Sequence, residues 1–503
     1  MVTQQITRRL TGPLLSLIAT FLFVGPAFAQ ELWYTATLAG QPAGWMRSET
    51  TEAGGLITVV SETELSVRRG PLEITIRMES ESVETVDGEP VRMRSVQKLA
   101  TAETVTEYTF GEDEIDVTAS VAGQTSESTA PLPEPGWLMP AAAGRAIEAA
   151  IRAGDDLIEI RVMDPSAGAT PIGVRYSDPK PAPLVVGNER IEGTEWTVQS
   201  DLMPGIRTAE VVDADGDTLR STVRIGAIEM VMTRASADEV AAIRGVPTGD
   251  MPELMLSTFV APSRKIDEPR RVSRGEYVLR FADGEVPELP AGGLQSQTAV
   301  PDGSIRVVVS ADPADAAPGE REPADLADSS MIKHTDPRVR ELHERAVRGL
   351  GTDQRERAEA MRRFVHRTIS AKNLSTALGS ASEVARSRSG DCTEHAVLLA
   401  ALLRADGIPS RAVSGVIYAD AFAGARDIFG YHMWTRALLP VDGVLRWIDL
   451  DATLGPSTPF DATHIALAET AFEEGAGTRA FSTVALFLGR LEIEVVETEH
   501  DGR

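Results

Sequence analysis

Residues 389–409 of the chain read SGDCTEHAVLLAALLRADGIP. The apolar residues in this stretch recur with helical spacing, and a glycine and a proline follow them as helix-ending residues. The pattern predicts a buried helix over residues 393–405, with Cys392 immediately before its first turn. This helix is the element around which we expect the C-terminal part of the chain to fold.

Cys392 is the only cysteine in 503 residues, so it has no partner within the chain for a structural disulfide. At the N-terminal end of a helix, unpaired backbone N–H groups and the positive end of the dipole favour thiolate over thiol. The same N–H groups can donate to an oxyanion that forms on an attacked carbonyl. The position predicts a nucleophile; the alternative is a small buried apolar residue without reactivity.

A nucleophilic cysteine requires a base, and His432 is the leading candidate. It begins a strand-like run that turns at Asp442-Gly443 into a second run ending near Asp451. A turn with two or four loop residues puts His432 and Asp451 on one face, directly opposite or one diagonal step apart. We therefore expect Asp451 to orient His432, with Asp449 as the reserve, whereas an odd loop would put the pair on opposite faces.

The first 29 residues have the pattern of an export signal. Two arginines precede an uncharged apolar run from Leu14 to Val24, and Ala27-Phe28-Ala29 matches a signal-peptidase site. The run is short for a membrane span, so we predict a cleaved signal over residues 1–29, with an uncleaved anchor as the alternative. The expected location is periplasmic or secreted, without stable membrane insertion after cleavage.

The acidic composition argues against nucleic acid as a partner. The chain carries 75 acidic and 49 basic residues, a formal charge of −26, which repels phosphate backbones. The acids are spread along the chain, which is typical of a solvated surface rather than of an acidic binding site.

The chain is predicted to contain several domains: a β-rich antiparallel N-terminal region, then an α+β domain. Residues 30–235 alternate apolar and polar positions and contain one short helix near residues 141–153. Residues 236–310 form a smaller β-rich segment, and residues 311–330, rich in Pro, Ala and acids, form a linker or an extended surface crossing. Residues 331–503 have helices first and strands later.

Two helices are predicted at the start of that last domain. Asp336-Pro337 opens one that runs to about Leu350, and another covers residues 354–368.

Four ordered motifs in this C-terminal part resemble the bacterial transglutaminase-like family. They are GDCTEHA at 390–396, RADGIPSR at 404–411, HMW at 432–434, and Trp447 followed by DAT at 451–453. The resemblance covers about residues 336–467. It implies a papain-like fold with a cysteine, histidine and aspartate site at Cys392, His432 and Asp451, and thioester chemistry on a glutamine or peptide amide.

The chain departs from the family pattern at several positions. Many relatives have an acidic residue where Arg436 stands and proline where Ala452 stands. The animal enzymes use a tryptophan upstream of the cysteine to hold the oxyanion, and here no tryptophan lies between Trp196 and Cys392. Asn373 is a candidate for this second donor, against a role in loop capping. The calcium sites of the animal proteins have no matching segments.

No cofactor and no metal site is predicted. The segment Asp213–Asp217 has the look of a calcium loop, but Arg224 stands where the closing glutamate belongs, which favours a turn. His395, one helical turn after Cys392, is expected to be a packing residue rather than a base. The other histidines show no ligand spacing: His334, His343, His366, His464 and His500.

Two features near His432 have an ordinary structural reading. Trp434 and Trp447 are expected to pack the hairpin, with shielding of the site from water as the alternative. Residues 419–430 are interpreted as a loop before His432, which either gates the cleft or simply connects two strands.

The sequence leads to two functional hypotheses. The first is an exported enzyme that uses a thioester on Cys392 for acyl transfer or hydrolysis of a protein or peptide amide. The second is a non-catalytic cell-envelope binding or assembly protein that uses the transglutaminase-like fold as a scaffold.

Overall fold

The computed structural model describes residues 30–69, 72–99, 102–121, 124–187, 189–202, 206–225, 228–244, 259–281, 288–290, 292–329, 331–371, 379–422, 424–472, 487 and 489–501. The chain divides into two compact units between residues 254 and 255. The predicted export signal at residues 1–29 lies outside the described residues. None of the helices in the described part combines the length and the apolar character that a membrane crossing requires.

The N-terminal unit is dominated by one antiparallel sheet, as the sequence predicts. Its fourteen strands, among the described residues, are ordered β8-β7-β6-β5-β4-β3-β2-β1-β16-β15-β14-β13-β10-β9, and β11 pairs with β12 separately. The strands are β1 (Gln30–Leu38), β2 (Gln41–Ala53), β3 (Leu56–Arg69), β4 (Leu72–Thr85), β5 (Pro90–Leu99), β6 (Ala102–Phe110), β7 (Glu114–Val121), β8 (Gln124–Pro131), β9 (Leu157–Val162), β10 (Ile172–Pro181), β11 (Leu184–Val186), β12 (Glu189–Ile191), β13 (Thr194–Ser200), β14 (Arg207–Val212), β15 (Thr218–Ile225) and β16 (Ile228–Ala235).

The sheet has one apolar face because apolar residues alternate along the strands. In β1, Leu32, Tyr34, Ala36 and Leu38 are buried and the residues between them are not. Two helices accompany this sheet, α1 (Pro140–Ala153) and α2 (Ala237–Ile243). Helix α1 buries its apolar side and ends at a glycine in the left-handed conformation, in agreement with the predicted helix at 141–153.

The turn at Asp213–Asp217 is closed by its own side chains and by a cation. The Asp213 carboxylate accepts hydrogen bonds from the amides of Asp215 and Asp217 at 3.0 and 2.9 Å. Arg234 pairs with Asp217 at 3.2 Å. These contacts account for the turn at this position.

The C-terminal unit contains four helices in its described part, followed mainly by strands. The helices are α3 (Pro337–Ala346), α4 (Gln354–Thr368), α5 (Ala381–Ser387) and α6 (Cys392–Ala405). Helix α3 ends at Ala346, before the predicted end near Leu350, and Gly349 between these two positions has a positive φ. Short 3₁₀ turns lie at Pro269–Arg271, Pro313–Asp315 and Pro323–Asp325.

Two four-stranded sheets complete this unit. Their orders are β18-β19-β17-β24 and β22-β21-β20-β23. The strands are β17 (Val272–Phe281), β18 (Gln295–Ala299), β19 (Ile305–Ser310), β20 (Ser410–Phe422), β21 (Ala425–Val441), β22 (Val444–Leu450), β23 (His464–Thr470) and β24 (Leu491–His500).

Helix α6 is the centre of the C-terminal core, as residues 389–409 predict. Every residue from Ala396 to Leu403 is 2% exposed or less, because α3, α4 and α5 pack on one side of the helix and β21 on the other. A leucine truncated to alanine in such a core costs about 2–5 kcal/mol. The helix thus fixes Cys392 rigidly at its first position.

The segment predicted at residues 236–310 is divided between the two units: α2 lies in the first, and β17, β18 and β19 lie in the second. Strand β17 pairs with β24 along its whole length, so these three strands and the chain end at residues 491–500 share one sheet. The backbone N–H and C=O groups at one edge of β17 require hydrogen-bond partners, and β24, about two hundred residues later in the chain, supplies them. Local sequence periodicity carries no signal for such a pairing.

Residues 311–330 form a packed crossing rather than a free linker. Asp325 is 1% exposed and accepts a 2.8 Å hydrogen bond from Arg411 Nε. The carbonyl of Ala327 accepts a 2.6 Å hydrogen bond from Arg404. These polar contacts hold the crossing against the C-terminal core. Of the two alternatives, a linker or an extended crossing, the described residues fit the crossing.

Candidate active site

Cys392 is the first residue of α6 and is partly exposed. Asp391 caps the helix, and its carboxylate accepts hydrogen bonds from the amides of Thr393 and Glu394. The amide of Cys392 belongs to the first turn of α6, where N–H groups have no acceptor within the helix. It is therefore placed to donate to an oxygen on a group bonded to the sulfur.

Glu394 braces the start of the same helix from inside. Its two carboxylate oxygens accept hydrogen bonds from the amides of Gly379 and Asp391, both at 2.8 Å. Burial and the nearby Asp391 charge raise the pKa of Glu394 to about 8, against the opposing effect of these amides. A side chain at Gly390 would overlap Glu394, which explains why the GDC motif has a glycine at this position.

The β21–β22 hairpin brings His432 and Asp451 together. Its loop consists of Asp442 and Gly443, both with positive φ, and the strands pair from Val441 with Val444 inward. The loop has two residues, so His432 and Asp451 lie on the same face, one diagonal step apart. His432 Nε2 and Asp451 Oδ2 are 2.9 Å apart.

Asp451 is fully buried and held by several donors. Oδ1 accepts hydrogen bonds from the amide and the hydroxyl of Thr453, each at 2.7 Å. The buried guanidinium of Arg362 donates to the Asp451 carbonyl at 3.1 Å. Burial alone would raise the pKa of Asp451, but the neighbouring histidines, led by His432, hold it well below its usual value. The carboxylate is thus ionised and fixed in direction.

His432 is held between this carboxylate and the sulfur of Cys392. Burial lowers the pKa of His432, but the Asp451 charge and the hydrogen bonds that the imidazole makes with Asp451 and Cys392 outweigh it and raise the value to about 9. Nε2 faces Asp451, which leaves Nδ1 for the sulfur. The structure therefore brings together the three residues that the sequence singled out, and their catalytic roles stay predictions.

Asp449, the reserve for the orienting role, has other partners. It accepts hydrogen bonds from Trp434 Nε1 at 2.8 Å and from Arg436 Nε at 2.9 Å. Arg436 also pairs with Glu469 at 2.7 Å. The arginine at this position, where many relatives have an acid, is thus neutralised inside the domain by two carboxylates.

We expect Arg436→Ala to destabilise the C-terminal unit by about 3 kcal/mol, because it leaves the buried Asp449 charge without its cation. Arg280→Ala is the matched control, since Arg280 and Glu494 form an ion pair in which both side chains are 45% exposed. Its expected effect is below about 1 kcal/mol. Hydrogen exchange of the slowest α6 amides measures both. Equal effects of the two variants would contradict this assignment.

Trp434 packs behind the histidine, as expected from the sequence. Its ring is stacked beside His432, with 6.1 Å between centroids. A Cβ at Gly415 would lie 2.7 Å from the Trp434 ring, so only glycine fits on the neighbouring strand. Trp447 lies under Arg411, with the guanidinium 4.6 Å from the ring centroid.

The expected loop before His432 is mostly strand. Strands β20 and β21 continue to Phe422 and from Ala425, so the connection is a hairpin tip rather than a loop over residues 419–430. Asn373, the candidate for the second oxyanion donor, lies outside the described residues.

Four histidines have acceptors outside the group of Cys392, His432 and Asp451. The pairs are His334 beside Asp328, His343 with Asp406, His366 with the Ala452 carbonyl, and His500 with the Asp267 carbonyl. His395 Nδ1 lies 2.6 Å from the carbonyl of Asp391, within its own helix, which fits the expected packing role.

His464 is the site residue that the sequence analysis missed. It was grouped with the scattered histidines, yet its Nε2 lies 3.3 Å from Asp451 Oδ2. A signal was present, since DAT at 451–453 recurs as DATH at 461–464 and both aspartates accept from the threonine two residues on. Ligand atoms of His432, Asp451 and His464 lie within 4.8 Å of one another. Hydrogen bonds account for these distances, and we assign no metal to the group.

The charges of this cluster predict a pH-dependent stability. Opposing the effect of burial, nearby carboxylates raise the pKa values of His432 and His464 from 6.5 to about 9. A raised histidine pKa stabilises the folded state fully below pH 6.5, and this contribution is lost as the pH rises through 9. One such shift is worth about 3 kcal/mol over this range, and the two histidines share Asp451, so we expect the free energy of unfolding of the C-terminal unit to fall by about 3–6 kcal/mol between pH 6.5 and 9.5.

Denaturation with α6 hydrogen exchange as the probe, repeated at each pH, measures this fall. The double variant His432→Gln, His464→Gln is the control, in which the pH dependence over this window should flatten. A parent protein of constant stability from pH 6.5 to 9.5 would contradict the charge assignment.

Comparison with known families and proteins adds one sequence match. Residues 340–452 match the family model described as the transglutaminase-like superfamily, and the matched range includes Cys392, His432 and Asp451. A comparison with curated proteins gives no match.

Two solved structures illustrate the structural likenesses. A β-barrel-like protein of a domain of unknown function from Brucella abortus has a TM-score of 0.33 and 14% identity, covering 42% of this chain and 98% of that one. A candidate cysteine protease from Cytophaga hutchinsonii has a TM-score of 0.26 and 13% identity, covering 45% of this chain and 86% of that one.

Proposed function

Because the C-terminal region contains a transglutaminase-like domain, we propose that this domain is a cysteine-dependent acyl transferase or hydrolase that acts on a protein or peptide amide. The observation that carries the proposal is the 2.9 Å contact between His432 and the buried Asp451, next to a sulfur at the first position of a rigid helix. No second cysteine exists to give that sulfur a structural role in a disulfide.

The first half of the proposed reaction forms a thioester. The Cys392 thiolate attacks the carbonyl carbon of the amide, and the carbonyl oxygen becomes an oxyanion that accepts a hydrogen bond from the Cys392 amide. The His432 imidazolium then donates its proton to the leaving nitrogen as the carbon–nitrogen bond breaks. The amine departs, and the acyl group remains bonded to sulfur.

The second half releases the acyl group. His432, now neutral, takes a proton from water or from an acceptor amine, which attacks the thioester carbon. The carbon–sulfur bond breaks and returns the electron pair to sulfur, while His432 keeps the proton and restores the ion pair. Asp451 stabilises the imidazolium in both halves and holds its ring in one direction.

Water and an amine compete for the same thioester, so the chemistry of the three residues fits hydrolysis and transfer equally. The winner depends on the shape of the cleft and on exclusion of water. We propose an exported protein, periplasmic or secreted, on the basis of the pattern in residues 1–29, and an envelope protein or a peptidoglycan-related peptide as the amide donor.

The test is covalent trapping on the full chain. Purified protein is incubated with cell-envelope extract, quenched in acid, and digested, and the peptide containing Cys392 is examined by mass spectrometry. We expect an acyl adduct that neutral hydroxylamine removes, as it removes a thioester. His432→Gln is the companion variant, in which the adduct should be strongly reduced.

Two results would favour the scaffold hypothesis instead. One is an unmodified Cys392 under all quench conditions. The other is an adduct of equal yield in the His432→Gln variant, which would indicate simple chemical acylation of an exposed thiol.

A further inference from the structure

His464 is a buried histidine whose two ring nitrogens both face hydrogen-bond acceptors. It is 1% exposed, at the start of β23. Nδ1 lies 2.9 Å from the backbone carbonyl of Asp461, and Nε2 lies 3.3 Å from Oδ2 of Asp451. The site chemistry described above does not use this side chain.

The two acceptors fix the charge of the ring. A backbone carbonyl cannot donate, and neither can an ionised carboxylate, so each contact requires a proton on the histidine nitrogen. Neutral imidazole has only one such proton, whereas imidazolium has two. The geometry therefore requires His464 to be a cation, provided that Asp451 is ionised.

The surroundings of His464 support this charge. Burial lowers its pKa, but Asp461 and Asp451 oppose burial and raise it to about 9. The charged groups that face it are Asp451, Asp461 and His432, whose ring centroid is 5.9 Å away. Apolar rings cover the rest: Phe460 stacks at 4.3 Å and Trp434 meets it edge-on at 5.2 Å.

A row of alternating charges results, which extends from the site towards the surface. Arg270 Nη1 pairs with Asp461 Oδ2 at 2.8 Å, and Asp461 Oδ1 lies 3.5 Å from His464 Nδ1. His464, Asp451 and His432 continue the row. Arg270 is 31% exposed, and the inner members are buried. Each buried charge has an opposite charge beside it, which is the condition under which buried ions are tolerated.

We propose that His464 is a positioning residue for the reaction at Cys392: a buried imidazolium that holds the Asp451 carboxylate in place and shares its negative charge with His432. This inference rests on the proposed function for its catalytic meaning. It adds a fourth side chain, and behind it Asp461 and Arg270, to the groups that set the direction and the basicity of the base.

Sharing one carboxylate between two cations has a direct consequence. His432 feels less negative charge than it would with Asp451 alone, so it holds its proton less tightly and releases it more readily to the leaving nitrogen. Removing the charge of His464 should therefore make His432 more basic. Removing its hydrogen bond should loosen Asp451.

The first measurement is imidazole ¹⁵N NMR on the full chain, with the two histidines assigned through His432→Gln and His464→Gln. We expect His464 to carry protons on both ring nitrogens at pH 7.5. A neutral His464 ring at this pH, or a stoichiometric zinc ion bound by His432, Asp451 and His464 in the protein as isolated, would overturn the inference.

Two variants then separate the charge from the hydrogen bond. His464→Gln keeps a donor but removes the charge, and we expect the titration midpoint of His432 to rise by about one to two pH units. His464→Phe keeps a ring between Phe460 and Trp434 but removes the donor as well. In it, exchange of the His432 Nε2 proton with water should accelerate about ten-fold or more.

Phe460→Leu is the control for packing, because it disturbs the ring stack without touching a charge. The titration midpoint of His432 in this variant should match that in the parent protein. If His464→Gln and His464→Phe also match the parent, His464 is only a packing residue and the inference is wrong.

Failure of this inference can be told apart from failure of the proposed function. All NMR measurements can be repeated in Cys392→Ala, which cannot form a thioester. A charged His464 together with an unreactive Cys392 would contradict the proposed function alone. A neutral His464 behind a Cys392 that forms thioesters would contradict this inference alone.

Discussion

Replacing Cys392 with alanine is expected to lower the rate of amide turnover by at least about a thousand-fold. The substitution removes the atom that bonds to the acyl group, and no second cysteine is present to replace it. Amine release from the amide donor identified by trapping measures the effect. Because Cys392 is partly exposed and packs only at the margin of the core, the variant should fold like the parent protein.

Cys392→Ser is the companion variant, since it keeps the size and polarity of the side chain. A hydroxyl is a far weaker nucleophile than a thiolate beside a histidine of raised pKa, so serine should be almost as inactive as alanine. Retention of more than a tenth of the parent rate by Cys392→Ala would contradict the proposed chemistry, and the scaffold hypothesis would take its place.

Asp451→Asn has the second largest expected effect, a fall in turnover of about 10²–10⁴-fold. The substituted side chain would keep the shape, but its NH₂ group can face His432 only as a donor, and its oxygen carries no full charge for the imidazolium. Asp451 accepts from His432, His464 and the amide and hydroxyl of Thr453, so the NH₂ group of asparagine would face groups that now donate to the carboxylate. The His432 ring would then lose both its direction and the group that keeps it protonated.

Asp406→Asn provides the matched control for this variant. Asp406 also pairs with a histidine, His343, at 2.6 Å, and it also binds a cation, Arg357, but it lies at the far end of α6 from Cys392. Its loss should reduce stability without a comparable fall in turnover. If both asparagine variants lose activity equally, the effect of Asp451 is structural and its orienting role is refuted.

The C-terminal core could be predicted because its signals are local. The apolar run over 396–403 and its helix-ending glycine specify α6 almost to the residue. The turn at Asp442-Gly443 is also a local signal, although the sequence is compatible with a loop of two or four residues and only the structure shows that it has two. Strand periodicity then places His432 and Asp451 on one face without any knowledge of the rest of the fold.

The parts that could not be predicted depend on distant pairing. Strand β17 pairs with β24 although more than two hundred residues separate them, and the periodicity of either strand does not predict this pairing. The sequence around Asp325 predicts only a polar crossing, whereas in the structure Asp325 is buried and accepts a hydrogen bond from Arg411. His464 reaches Asp451 because β23 lies beside β20, a strand order that the sequence does not encode locally.

The difference between Asp449 and Asp451 illustrates the same limit. Both lie on the hairpin face that strand alternation assigns to His432, so periodicity alone keeps both as candidates. Their ion-pair partners separate them. Asp449 pairs with Arg436 on the neighbouring strand, whereas Asp451 pairs with His432 and His464. Side-chain partners of this kind become visible only when the sheet is assembled.

The most direct test of the central claim is the rate at which iodoacetamide alkylates Cys392 as a function of pH, with His432→Gln as the comparison. An ion pair with His432 predicts rapid alkylation at pH 6, about ten-fold or more above a free cysteine, and loss of that advantage in His432→Gln. Alkylation of the parent protein that rises only near pH 8.5, as for an ordinary thiol, and is unchanged by His432→Gln would contradict the account.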